Sequence, residues 1–167
     1  ISKLYLEANS KISPGDFFFE IGPGLGVLTE PLLSAGASVL AVEKDPRCVS
    51  ALSDLQARYP HHFSLHAGDV LQFSPMDHEM AHNKRMRVVG NLPYMISSPI
   101  IFYVLDRLDC VRDAHFMLQK EVVARLAASP GYKAWGRLSV MVQRYMHVEA
   151  LDDVPREAFK PPGVSRM

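Results

Sequence analysis

Four consecutive residues, Asn91-Leu92-Pro93-Tyr94, bring three chemically distinct groups to one point of the chain. The asparagine amide can donate and accept, the proline turn leaves the Leu92 carbonyl unpaired, and the tyrosine offers a flat aromatic face. An exocyclic amino group on a nucleobase needs that set: acceptors for its protons and a ring against which the base can stack. A proline-containing turn with an incidental tyrosine is the plainer reading of the tetrapeptide alone. What stands upstream decides between them. Gly22-Pro23-Gly24-Leu25-Gly26 follows an apolar run that ends in Glu20-Ile21. A glycine-rich turn between a strand and a helix lets the backbone approach a ligand closely, although a tight structural turn would look the same. The third glycine lies four positions after the first, which departs from the dinucleotide fingerprint G-x-G-x-x-G. Glu43 closes a second apolar run, where an acid can accept both hydroxyls of a ribose. Asp69 follows a third and can accept from an adenine amino group. Acids at the ends of three successive runs describe a pocket for an adenosine bearing no phosphate. That favours S-adenosylmethionine over NAD, with Glu20 as a candidate partner for the ammonium of the methionine moiety.

With that pocket in place, the tetrapeptide reads as the amine-orienting part of an amino-methyltransferase. The adenine amine is a poor nucleophile because its lone pair is conjugated into the ring. Hydrogen bonds from its protons to the Asn91 side chain and the Leu92 carbonyl favour a more tetrahedral nitrogen and aim the lone pair at a methyl donor. Pro93 shapes the turn and Tyr94 stacks on a flipped base. No general base is required before attack, so none of the seven histidines is invoked. His61-His62, His78 and His82 lie at no metal-ligand spacing, and no metal is expected.

The elements that must hold these groups alternate. Residues 3–12 have helical spacing, with Leu4, Leu6 and Ile12 as candidate buried positions. Strands are expected over Phe17–Ile21, Ser38–Glu43, Phe63–His66, Arg87–Gly90, Ala114–Leu118 and Val148–Val154. Helices are expected over Val27–Ala35, Pro46–Tyr59, Pro99–Leu108, Lys120–Ala128 and Leu138–Met146, with Pro75–Arg85 a surface helix or loop. Short loops and strand–helix alternation predict a doubly wound α/β sheet.

A chain of 167 residues, 48% hydrophobic and 22% charged, suits one globular domain with a full core. No apolar run reaches the ~20 residues of a membrane span, and no secretory signal pattern is seen. Cys48 and Cys110 make no CxxC pair, so a reducing, cytoplasmic compartment is expected. The zero net charge hides a division. Residues 1–83 carry 5 Lys/Arg against 10 Asp/Glu, and residues 84–167 carry 13 against 8. The positive half is a footprint for a polyanion or a solvated face, and Lys120, Arg125, Lys133, Arg137 and Arg144 are its candidate phosphate contacts.

Five segments together resemble the ribosomal RNA adenine dimethyltransferases. They are Glu20–Thr29, Gly68–Leu71, Gly90–Ser97, Met117–Arg125 and Gly136–Gln143, and the likeness runs from about Lys3 to Pro162. The resemblance implies the class I S-adenosylmethionine-dependent methyltransferase fold, a Rossmann-like, mostly parallel sheet of seven-stranded type. It implies one catalytic domain over residues 1–162, with residues 163–167 leading towards a helical C-terminal domain. The implied activity is dimethylation of the N6 amines of two adjacent adenosines near the 3′ end of small-subunit (16S) rRNA, during assembly of the 30S particle. A monomer is expected. The cofactor set comprises Glu20, Gly22, Gly24, Gly26, Glu43, Lys44, Asp69, Val70 and Asn91. The catalytic set comprises Asn91, Leu92, Pro93, Tyr94 and Phe159, the last as the second face of the base sandwich.

The family's Gly-Gln-Asn-Phe-Leu motif would precede Ile1, which implies a trimmed or partly observed chain. Phe159-Lys160-Pro161-Pro162 begins the family's proline loop, but Gly163-Val164-Ser165 does not continue it. Missing residues after Pro162, or a shortened loop, account for that. Three other readings stand beside the first. Erythromycin-resistance methylases act on large-subunit RNA and usually carry Ile at the place of Leu92. DNA adenine methyltransferases typically carry Pro there. A non-catalytic ribosome-assembly or mitochondrial transcription factor could use the same fold. A bacterial source fits better than a mitochondrial one.

Overall fold

The computed structural model describes residues 12–81 and 84–154. Five strands, β1 (Phe17–Ile21), β2 (Ser38–Glu43), β3 (Phe63–Ala67), β4 (Met86–Asn91) and β5 (Val111–Met117), form one parallel sheet in the order β3-β2-β1-β4-β5. The helices are α1 (Thr29–Ser34), α2 (Pro46–Ala51), α3 (Ser53–Arg58), α4 (Tyr94–Leu105), α5 (Lys120–Leu126) and α6 (Arg137–Gln143).

The mostly apolar runs of β1, β2 and β4, interrupted by the buried Glu20 and Arg87, reflect burial on both faces of a parallel sheet. Phe18 faces one core layer, with Leu32 and Leu33 of α1, Leu52, and Leu55 of α3. Phe19 faces the other, with Ile100, Tyr103 and Val104 of α4. Successive residues of one strand thus anchor both helical layers. A third cluster joins Ile101 of α4 to Val122 and Leu126 of α5 and Val142 of α6. Ile12, the one described residue of the expected first helix, packs beside the Phe18 layer.

Several expected boundaries move. Residues 24–28 are turns, so α1 begins at Thr29 rather than Val27. The single helix expected over Pro46–Tyr59 is two short ones, α2 and α3, that meet at Leu52. α4 starts at Tyr94 and carries Pro99 within it, because Pro93 already supplies the extended N-cap residue. β5 begins at Val111 rather than Ala114. Val148–Val154, expected as a strand, joins no sheet among the described residues. Its apolar alternation is used otherwise, since Val148 packs on the α5–α6 cluster. Five strands of the seven-stranded type therefore lie in the described residues. The expected helix over residues 3–11, Phe159, and the junction of Pro162 with Gly163 lie outside them.

Arg87 ties the sheet together at the end away from the glycine turn. Its Nε donates to both Asp113 oxygens at 3.0 and 3.1 Å, and its Nη1 donates to Asp16 at 3.0 Å. Arg112 reaches the other Asp16 oxygen at 3.2 Å. Burial alone would raise the Asp113 carboxyl, but His115 and Arg87 hold it below its ordinary value. Asp16 precedes β1, so the network locks β1, β4 and β5 in register.

Candidate active site

The strand order reverses between β1 and β4, and a doubly wound sheet opens a crevice at the carboxyl ends there. Ile21 of β1 pairs with Gly90 of β4, which sets Gly22 next to Asn91. On the other side Ile21 pairs with Val42, and Glu43 of β2 pairs with Ala67 of β3, two residues before Asp69. Asn91, Gly22, Glu43 and Asp69 thus stand in line on four neighbouring strands. Three inter-strand steps of about 4.8 Å span roughly 14 Å.

The glycine turn splits into two parts. Gly22 and Gly24 have φ of 66° and 58°, and a Cβ on either would meet no protein atom within 4 Å. They keep the crevice open and the backbone in a conformation other residues resist. At Gly26 a Cβ would lie 2.8 Å from a Leu52 methyl, so packing as well as φ demands glycine there. Gly90 is needed for close approach, since a Cβ would sit 2.8 Å from the Ile21 carbonyl oxygen. This contact lets β4 deliver Asn91 against the first glycine.

Glu43 is 8% exposed, and its two oxygens accept from the Gly24 N–H at 3.0 Å and the Asp45 N–H at 2.8 Å. A carboxylate has about four lone-pair sites, so two remain for hydroxyl donors. Asp69 accepts from the Leu71 N–H at 3.0 Å and from the Lys44 ammonium at 2.9 Å. Lys44 is the main reason its carboxyl lies below the ordinary range. Val70 turns its side chain into the core.

Glu20 is the exceptional group. It is 1% exposed, and its Oε2 has no hydrogen-bond partner among the described residues. The Thr29 hydroxyl lies near enough to favour the charged form, yet its oxygen also lacks a partner of regular geometry. Burial is the largest influence and Glu43 adds to it, so the carboxyl is pushed up from 4.5 to about 7. Glu20 still lines the same cleft as Gly22, Gly24, Asn91 and Tyr94. Glu43, Lys44, Asp69 and Val70 are not on that wall but continue the line of strand ends beyond it.

Across the cleft, Leu92 is buried and donates its N–H to the Met117 carbonyl at 3.0 Å. The Pro93 carbonyl accepts from the Ser97 hydroxyl at 2.9 Å and the Ile96 N–H at 3.2 Å. No hydrogen bond among the described residues takes up the Leu92 carbonyl. Asn91 is exposed, and Tyr94 is 55% exposed at the first turn of α4. The expected trio of amide, carbonyl and ring is therefore available to a ligand in one place.

The basic residues are divided. Lys120 pairs with Asp153, and Arg125 donates to Glu121 within α5 at 2.6 Å. Lys133, Arg137 and Arg144 are exposed with no carboxylate partner among the described residues, and Arg144 lies 5.5 Å from the centre of the Tyr145 ring. Two contributors escaped the sequence reading. Thr29 stands beside Glu20 in the structure, and Asp16 pairs with Arg87. Arg87, a charge inside an apolar run, was the available signal for a buried ion pair.

A family model described as ribosomal RNA adenine dimethylase matches residues 1–165. The chain is 49% identical over 152 residues to the ribosomal RNA small subunit methyltransferase A of Pseudomonas syringae pv. tomato, covering 91% of this chain and 56% of that protein. It is 50% identical over 153 residues to the protein of the same name from Cupriavidus necator, covering 90% and 53%. The chain thus spans about half the length of the curated relatives it matches. Among solved structures, a dimethyladenosine transferase from Plasmodium falciparum superposes with a TM-score of 0.67 at 27% identity, covering 85% of this chain and 48% of that one. The 23S rRNA methyltransferase ErmE gives 0.66 at 25% identity, covering 85% and 54%.

Proposed function

Since the chain belongs to the ribosomal RNA adenine dimethylase family, we propose that it transfers methyl groups from S-adenosylmethionine to the N6 amines of two adjacent adenosines near the 3′ end of small-subunit rRNA. The observation that carries this reading is the line Asn91, Gly22, Glu43, Asp69 across adjacent strand ends. It joins an amine-binding corner to an adenosine-binding crevice.

The residues fit the cofactor. Gly22 and Gly24 leave open space where a side chain would otherwise project, and Glu20, a buried carboxyl with an unpaired oxygen, lines the same cleft. Glu43 retains acceptor capacity for ribose hydroxyls and Asp69 for the adenine amine, while Glu20 holds the methionine ammonium. No phosphate group is called for. When bound, S-adenosylmethionine supplies an electrophilic methyl group on sulfur.

The chain's own part is to bind, orient and stack. The Asn91 amide oxygen and the Leu92 carbonyl accept the two protons of the target amine, which fixes its lone pair towards the crevice. Leu92 can hold that position because its N–H is tied to β5 and its side chain is buried. Tyr94 stacks on the flipped base, and Phe159 covers its other face. Lys133, Arg137 and Arg144 bind RNA phosphates, with Lys120 and Arg125 joining once released from their carboxylates. The partner is the small-subunit RNA within a 30S particle, bound by a monomer.

The test is transfer of labelled methyl to undermethylated 30S particles, 50S particles and duplex DNA, by the protein and its Asn91→Ala variant. Label recovered as dimethyladenosine in 30S RNA, reduced about 10²–10³-fold by Asn91→Ala, is expected. Label in 50S RNA would move the chain to the large-subunit methylases, whose ErmE shares its fold. Label in DNA, or 30S binding without transfer to any substrate, would overturn the reading.

A further inference from the structure

A carboxyl buried with an unpaired oxygen is an expensive feature unless something completes it. Glu20 is such a group, and among the described residues no element around it supplies a cation. From β2 the charged neighbour is Glu43, whose like charge disfavours ionisation. From β4, Val89 lies in register beside it. Arg87 shares that strand but is committed to Asp16 and Asp113 towards the opposite end. From α1 come the Thr29 hydroxyl and Glu30, the latter exposed and paired with Arg58. Among the described residues the ligand-free site therefore holds Glu20 in its neutral form through much of the ordinary pH range. An ammonium brought beside the carboxyl reverses the balance, because an opposite charge within about 4–6 Å favours the carboxylate.

We propose that Glu20 is a proton-coupled specificity element. It is neutral in the empty site, and it surrenders its proton to solvent when a ligand bearing an α-ammonium group binds. The balance is one proton released as the carboxylic acid and the ligand's ammonium become a carboxylate–ammonium pair. Below the ordinary α-amino range of roughly 7.7–8.0 the ligand already arrives protonated, so the released proton can come only from the protein. The raised carboxyl of Glu20 supports this, as does its place on the wall shared with Gly22 and Gly24. Two consequences follow. Affinity for amino-acid-bearing ligands tightens as pH rises, and ligands with the nucleoside alone lack that dependence. This inference rests on the proposed cofactor site and adds the protonation state in which the site receives its ligand.

The experiment is calorimetric binding of S-adenosylhomocysteine, which retains the ammonium and undergoes no transfer. It is run at pH 6.5 in buffers of different ionisation enthalpy, then from pH 5.5 to 8. The expected result is release of roughly three-quarters of a proton per site at pH 6.5, approaching one at pH 5.5, with Kd falling up to about tenfold per pH unit below 7 and levelling above it. Methylthioadenosine, which lacks the amino-acid arm, should bind without proton release. In Glu20→Gln the release with S-adenosylhomocysteine should vanish and its affinity should become flat with pH. Binding without buffer-dependent proton release, or an unchanged pH slope in Glu20→Gln, overturns the proposal while leaving the cofactor site intact. Failure of both ligands to bind at any pH overturns the site itself and the proposal with it.

Discussion

Glu20→Gln should make the protein more stable, and the gain should depend on pH in a defined way. The substitution keeps the shape of the protonated carboxyl and removes its ability to ionise. In the folded chain burial and Glu43 push the carboxyl from 4.5 to about 7. The folded state therefore binds a proton more tightly than the unfolded state. By linkage, the stability due to that proton is fully present below about 4.5 and is lost as pH rises through 7. A raise of about 2.5 units at 1.36 kcal/mol each corresponds to about 3 kcal/mol, a large part of an ordinary domain's net stability. The variant should match the wild type near pH 4.5, gain steadily to pH 7, and hold an advantage of about 3 kcal/mol above pH 8. Urea unfolding of both proteins, without ligand, at intervals from pH 4.5 to 9 measures this directly. A variant less stable than wild type at pH 8, or an advantage independent of pH, would refute the picture of a neutral, unpaired Glu20. The same substitution should weaken cofactor binding, so stability and function pull in opposite directions at this position.

Three further outcomes test the architecture. Gly26→Ala combines an unfavourable φ with a 2.8 Å contact to Leu52 and should lose about 1–3 kcal/mol in urea unfolding. Gly24→Ala shares the φ but meets no protein atom, so it should lose less stability and chiefly lose cofactor affinity in calorimetry. Arg87→Met leaves Asp16 and Asp113 short of their buried partner and should lose about 3–5 kcal/mol in the same unfolding assay. The loss should shrink on acidification, because in the wild type the lowered Asp113 carboxyl contributes stability that disappears as pH falls through its folded value, whereas without Arg87 burial pushes that carboxyl up. Alanine at Lys133, Arg137 or Arg144 should each reduce the salt slope of RNA binding by about one, whereas Lys120→Ala should change it less because Asp153 already neutralises that charge. RNA binding titrated against salt concentration separates the two groups.

Much of this molecule was legible in residue order. Phe17–Ile21 and Ser38–Glu43 were found with their observed ends, because strands buried on both faces write continuous apolar runs and stop where chemistry begins. For the same reason Glu43, Asp69 and Asn91 could be placed at strand ends before any packing was known. Helix ends were less legible. Whether Val27 and Leu28 are turn or helix depends on how Gly26 docks on Leu52, and whether Val148–Val154 pairs as a strand depends on the α5–α6 surface it covers. Neither is a local property. What only the tertiary structure decided is adjacency and its electrostatic result. The crossing from β1 to β4 brings Asn91 beside Gly22, although 68 residues separate them in the chain. It also surrounds Glu20 with apolar groups, a threonine and another acid, so a residue that reads as an ordinary carboxylate has its carboxyl pushed up to about 7. Residue type sets which proton can move, but the field around a side chain depends on neighbours that sequence distance does not reveal.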